Sequence, residues 1–231
     1  MKPTTTIQAR KGLQAPKTVR KVLLICGILS SLLYVGADIL AAMQWEGYSY
    51  TSQAVSELGA LGSPTRPLLF VLFSIYDALV IAFGLGLLAT GSRKRTLRIT
   101  GILLIIYAIV GRVTFIFFPL HLRGVEATIS DTMHGILSAV NIVFMMMSIG
   151  FGAAANGKRF RFYSIGTALI LILFGVWAFL DVPRIAAGLP TPWVGIRERI
   201  NIYVFLLWVV VLAIIHLRAG KGQDSINGSH S

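Results

Sequence analysis

Residues 68–118 read LLFVLFSIYDALVIAFGLGLLATGSRKRTLRITGILLIIYAIVGRVTFIFF. Two apolar runs, Leu68–Ala89 and Arg98–Phe118, flank a turn that carries Arg93, Lys94, Arg95 and Arg98. Each run has about 20 residues, which at about 1.5 Å per residue crosses a hydrocarbon core of about 30 Å. Neither run alternates apolar and polar residues, and both far exceed the roughly 10 residues of a barrel strand. The stretch reads as two membrane-spanning helices joined by a basic turn.

The pattern continues outward. Val22–Met43 precedes it, and Met133–Ala155, Phe162–Asp181 and Glu198–Leu217 follow. Val22–Met43 exceeds the roughly 7–15 residues of a signal-peptide core and is interrupted by Asp38, so it is a retained span. The expectation is an all-α, polytopic membrane protein with six transmembrane helices in one domain, residues 22–217. Residues 1–21 form a disordered basic arm and residues 218–231 a tail. Composition agrees. Of 231 residues, 55% are hydrophobic and 13% charged, against roughly 25% charged in soluble domains. A soluble chain of this length cannot hide that much apolar surface, whereas lipid tails solvate it.

The net charge of +12 suggests nucleic acid at first sight. The basic residues, however, form short clusters between apolar runs, the pattern of a cytoplasmic face meeting anionic lipid. Of 21 Lys and Arg residues, 15 fall in the arm, the second and fourth turns and the tail, and five in the alternate loops. That asymmetry places both termini in the cytoplasm and the chain in the cell membrane, as a multi-pass protein. Trp45, Tyr48, Tyr50 and Trp193 then lie in an outer aromatic belt. Within the first outer loop, Ser52–Leu61 reads as a short helix lying on or dipping into the membrane. Cys26 is the only cysteine, so no intrachain disulfide forms.

An ionisable side chain at the bilayer centre costs about 2.5–3.5 kcal/mol on insertion scales, and persists where it pairs, meets water or works. Here Asp38, Arg112, Asp131, His134, Asp181, Arg197, Glu198 and Arg199 gather toward the outer ends of the spans, with Glu57 and His121 in the outer loops. Asp77 alone lies deeper. This distribution predicts a polar cavity opening outward. Asp38 and Arg112 are read as a buried ion pair, either structural or part of a site. Asp131 either caps its helix or forms an acid–base pair with His134, three residues on. With Glu57 as a proton donor or acceptor from the loop, these three are the catalytic candidates. Asp38, Arg112, Glu198 and Arg199 are the substrate-binding candidates, because guanidinium groups hold phosphate or carboxylate well. The bland alternatives are a helix-capping Glu198 and arginines 197 and 199 reaching to headgroups.

His121, Asp131, His134 and Glu57 are the outer-side metal donors. Their spacing matches no zinc motif, and His216 lies at the cytoplasmic end of the sixth span and His230 in the tail, so no metal and no cofactor is expected. Gly84-Leu-Gly86 and Gly150-Phe-Gly152 lack the strand and third glycine of a nucleotide loop and read as helix-packing positions.

Tyr50, Ser56-Glu57-Leu58-Gly59 and Gly62-Ser63-Pro64 resemble the first-loop signature of a membrane family known as domain of unknown function 998. Asp38, Phe118-Pro119, His134 and Gly195-Ile-Arg-Glu198-Arg199-Ile200 resemble its other marks, so the resemblance covers most of residues 22–217. It implies six helices and brings no established activity. Members of the family carry an acidic residue shortly after the Phe-Pro, where this chain has His121. A distant likeness to the Frag1 family of lipid-remodelling and sensing membrane proteins is weaker. The expected function is an outward-facing polar cavity that binds a lipid or amphiphilic small molecule, with enzymatic action on it left open. The alternatives are a proton-coupled transporter with Asp77 as relay, or a non-catalytic assembly or regulatory subunit. The expected partner is membrane lipid and not nucleic acid; a homo-oligomer or membrane partner is left open.

Overall fold

The computed structural model describes residues 16–90 and 94–228, with side chains described as far as Ala219. Residues 1–15 of the expected arm, Arg93 in the second turn and His230 at the end of the tail lie outside the described residues. Among the described residues there are eight helices: α1 (Lys17–Gln44), α2 (Val55–Leu58), α3 (Arg66–Leu88), α4 (Arg95–Phe117), α5 (Ile129–Ala155), α6 (Lys158–Phe179), α7 (Val182–Ala186) and α8 (Val194–Gly228). Six spans, formed by α1, α3, α4, α5, α6 with α7, and α8, are long and apolar enough to cross a membrane. They match the six runs read from the sequence, with Ala89 and Phe118 as the C-cap residues of α3 and α4. The helix around the first run starts earlier than Val22, at Lys17. Pro16 precedes it as the N-cap residue, a place where a missing backbone N–H costs nothing. The last helix continues past Leu217 to Gly228.

Each span packs on the next in chain order, and α8 returns to pack on α1, so the six close into a ring. An even number of crossings puts both ends of the chain at one end of the ring. The other end, the loop end, carries residues 45–65, 118–128 and 180–193. Toward the terminal end the interior is filled with Leu24, Phe83, Leu87, Leu104, Trp208 and Leu212. Trp208 lies fully buried and donates its indole N–H to Ser164 Oγ at 2.9 Å, which satisfies the one polar atom it brings into the core. Ser31 Oγ donates to Leu206 O at 3.1 Å and ties the first span to the last.

Lipid tails are as apolar as leucine, so close packing rather than hydrophobic burial holds spans together. A Cβ placed on Gly84 would lie 2.7 Å from Gly101 O of α4, and one on Gly86 would lie 2.9 Å from Leu23 Cβ of α1. Two residues turn a helix by roughly 200°, so these glycines face opposite ways, and α3 has a neighbour on both sides. On α5, Gly152 meets the Trp208 ring, but Gly150 faces nothing within 4 Å. The packing role read for Gly150 is therefore corrected.

The first loop also differs from the reading made for it. Its helix, α2, has four residues rather than ten, and Val55, Glu57 and Leu58 are buried. Leu58 packs with Ala37, Ala41 and Leu69, so α2 plugs the space between α1 and α3.

Gly84→Ala should push α3 away from α4 and cost about 1–3 kcal/mol as an overpacked contact, read as a lowered thermal midpoint in detergent. Gly150→Ala, in open space, should leave the midpoint within about 0.5 kcal/mol of the parent.

Candidate functional site

At the loop end the charged residues meet partners that the sequence did not pair. Asp38, on α1, is 0% exposed and Arg199, on α8, 3%. Arg199 Nε donates to Asp38 Oδ2 and Nη2 to Oδ1, both at 2.8 Å. Nη1 donates to Tyr50 O at 2.7 Å and Gly195 O at 3.3 Å, and Nη2 also to Tyr48 Oη at 3.0 Å. All five guanidinium N–H groups are thereby used. Asp38 Oδ2 further accepts from Tyr50 Oη at 3.2 Å and, in a short bond, from Tyr203 Oη. The pairing of Asp38 with Arg112 is thus corrected: the partner is Arg199. In the closed ring α1 borders α3 and α8, and α3 separates it from α4. Burial pushes the Tyr48 hydroxyl well above its ordinary pKa. It stays protonated and donates to the Gln53 and Ala54 carbonyls at 3.1 and 2.9 Å while accepting from Arg199. Gly195 is required here, because a Cβ would run into Tyr50 O and Gln53 O.

Glu57, 1% exposed, is equally committed. It accepts from Ala54 N at 2.9 Å, Gln53 Nε2 at 3.1 Å, and Arg123 Nε and Nη2 at 2.7–3.0 Å. Arg123 also donates to Thr191 Oγ1 at 2.7 Å and Ser52 O at 3.0 Å. One arginine therefore fastens all three loops of this end together. Glu198 Oε2 accepts from Val55 N at 2.7 Å and so caps α2 rather than its own helix.

Asp131 caps α5 from its first turn, accepting from Thr128 N and Oγ1 at 2.8 Å, and it also accepts from His121 N at 2.7 Å and sits 3.0 Å from His121 Nδ1. The acid–base pair read for Asp131 and His134 is not made. Asp131 is turned back toward the helix start, and His134 Nδ1 lies 2.9 Å from Phe118 O. Arg197 pairs with Asp181 at 2.5 Å and stacks on Trp177 at 4.1 Å, and does not reach outward as a free side chain. Of the four outer metal donors, His121 and Asp131 meet each other while Glu57 and His134 have other partners, and among the described residues no three His, Cys, Asp or Glu side chains are grouped to hold a metal.

One charged pair stands apart. Arg112 on α4 holds Asp77 on α3, with Nε 2.7 Å from Oδ2, and Nη2 2.7 Å from the same oxygen without hydrogen-bond geometry. Nη1 and Nη2 are buried and make no hydrogen bond among the described residues. The rings of Phe70 and Phe115 flank the guanidinium, each 5.7 Å away. The pair lines a cavity of about 170 Å³ between α1, α3, α4 and α5, ample for several waters. Its wall includes the Tyr76 and Tyr107 hydroxyls, 3.1 Å apart, together with His134, Ser138 and Asn141. A second cavity of about 100 Å³ lies against the loops, next to Ser56, Arg66 and Glu198, and shares Tyr34, Phe73, Phe115 and His134 with the first.

Of the seven residues singled out from the sequence, Arg112, His134 and Glu198 face these cavities. Asp38, Glu57, Asp131 and Arg199 have their bonding taken up within the protein. The reading missed Asp77 as Arg112's partner, although a signal existed. Asp77 lies about 11 residues below the loop end of α3 and Arg112 about five below that of α4, roughly 16 and 8 Å, a gap that a long arginine spans. Asn141, an amide in the middle of an apolar run, was a second signal. Arg123 carried none.

Residues 28–215 match the model of a family described as protein of unknown function DUF998. The chain belongs to this family. Neither a curated protein nor a solved structure matches it. In this DUF998 protein, two of the stretches that carried the resemblance are now explained by contacts. The Ser-Glu-Leu-Gly element supplies Glu57 to Arg123, Leu58 to the core and Gly59 O to Arg66. The stretch from Gly195 to Ile200 supplies Arg199 to Asp38.

Asp38→Ala leaves Arg199 buried without its counter-ion and should cost about 3–5 kcal/mol. Arg199→Lys should recover little of this, since an ammonium cannot reproduce the forked contact. Thermal unfolding of the detergent-solubilised protein reads both.

Proposed function

We propose that this DUF998 protein sits in the cell membrane with both termini cytoplasmic and binds the anionic head of a lipid or other amphiphile in the cavity between α1, α3, α4 and α5. Arg112 carries the reading. Its charge is met on one side by Asp77, whose Oδ2 lies 2.7 Å from both Nε and Nη2, while the side chain lines a cavity and Nη1 makes no hydrogen bond among the described residues. A buried, unmet donor costs about 1–3 kcal/mol, and more when charged. An oxyanion in the cavity removes that cost and adds a charge-assisted bond. The aromatic walls formed by Tyr34, Phe73 and Phe115 suit the apolar flank of an amphiphile. The saturated residues at the loop end serve as the frame of this site. The orientation rests on the excess of Lys and Arg at the terminal end.

A second reading, a proton-coupled carrier, draws on Asp77, whose carboxylate lines the same cavity as its arginine. Anion flux in proteoliposomes that persists unchanged in Asp77→Asn would remove it.

Arg112→Gln should weaken retention of anionic lipid at least about tenfold in native mass spectrometry. Asp77→Asn should do the reverse. It frees the guanidinium, so the apo protein loses stability but gains a larger thermal shift from added anionic lipid. Equal lipid retention by parent and Arg112→Gln would end the proposal. For orientation, Cys26→Ala provides a cysteine-free background. In intact cells an impermeant maleimide should label Glu126→Cys at the loop end and spare Lys158→Cys at the other.

A further inference from the structure

The unmet polar groups on the cavity wall differ in kind. Arg112 offers only donors; Nη2 lies 2.7 Å from Asp77 Oδ2, and Nη1 makes no hydrogen bond among the described residues. Asn141 Oδ1 is a buried acceptor without a partner, and its amide lies against Gly111 of α4, beside Arg112. His134 adds a second acceptor. Its Nδ1 faces the Phe118 carbonyl at 2.9 Å, and a carbonyl can only accept, so Nδ1 carries the hydrogen. In the neutral ring the lone pair then lies on Nε2, which forms no hydrogen bond among the described residues. His134 borders both cavities, and Asn141 borders the larger one that Arg112 lines.

A ligand that only accepts hydrogen bonds matches Arg112 and leaves His134 and Asn141 unmet. A choline headgroup supplies no N–H or O–H donor to them, and its fixed cation would sit near Arg112. A headgroup with an oxyanion and free hydroxyls meets all three. Building on the anion-binding reading above, we infer that the ligand of this cavity is a hydroxyl-bearing polyol phosphate, with its phosphate oxygen on Arg112 and its hydroxyls donating to His134 Nε2 and Asn141 Oδ1. Such a group occurs as the head of a lipid or as a free polyol phosphate, and the site chemistry is the same for both.

The test compares phosphatidylglycerol with phosphatidylmethanol, of equal charge and acyl chains but without hydroxyls, added to the full-length protein in detergent. Native mass spectrometry reads occupancy. Two extra hydrogen bonds should favour phosphatidylglycerol about tenfold. His134→Asn keeps a donor for Phe118 O but removes the Nε2 acceptor. It should narrow the preference to about threefold by loss of one such bond and leave phosphatidylmethanol binding unchanged. Asn141→Leu should narrow it similarly and serves if the histidine variant fails to fold. Glycerol 1-phosphate binding in the absence of lipid, with the same dependence on Arg112 and His134, would support the inference and assign the ligand to the soluble source. Equal binding of the two lipids, both dependent on Arg112, would overturn the hydroxyl inference and leave the anion site standing. Binding of either lipid that ignores Arg112 would overturn both.

Discussion

Asp38 and Arg199 hold the first and last spans together at a depth where neither charge is tolerated alone. At 2.8 Å their attraction is on the order of 6 kcal/mol for an effective dielectric constant near 20, and desolvation costs several kcal/mol for each ion. Attraction alone therefore roughly cancels the cost. The balance is tipped by the further hydrogen bonds from Arg199 to Tyr50 O, Gly195 O and Tyr48, and from Tyr203 and Tyr50 to Asp38. The first loop has to pass through this cluster to complete it. One interaction thus closes the helical ring and seats the loop, and the cavity between α1, α3, α4 and α5 exists because the ring is closed.

On the proposed reading, residue type does not separate structural charges from ligand-binding ones; the degree of satisfaction does. Arg199 and Arg123 are arginines with their N–H groups directed at carboxylates, carbonyls and hydroxyls of their own chain. Arg112 has the same chemistry and a carboxylate partner, yet it lines a cavity and its Nη1 makes no hydrogen bond among the described residues. In a medium of low polarity a saturated guanidinium acts as a fastener. One that is half-saturated retains affinity for an oxygen not yet present.

The loop end adds rigidity to the site. Arg123 joins the second loop to Glu57 and Ser52 of the first and to Thr191 of the third, and Leu61 N donates to Leu120 O at 2.7 Å. Arg66, stacked over Phe115, also reaches back to Gly59 O and Phe115 O. These fixed loops and Phe115 form part of the wall of the smaller cavity, so its shape follows from the same bonds that neutralise the loop charges.

The six spans and their order were legible in the sequence. Transfer into lipid depends on local composition, and a run such as Leu68–Ala89 carries its own answer. Partner choice was not legible. Asp38 meets Arg199 rather than Arg112, and His121 rather than His134 meets Asp131, because ring closure and the turn of each helix decide which side chains face one another. The burial of α2 and the open side of Gly150 have the same origin. Hydropathy adds up along the chain, residue by residue. Pairing and cavities belong to distances across it, which are set only when distant helices pack.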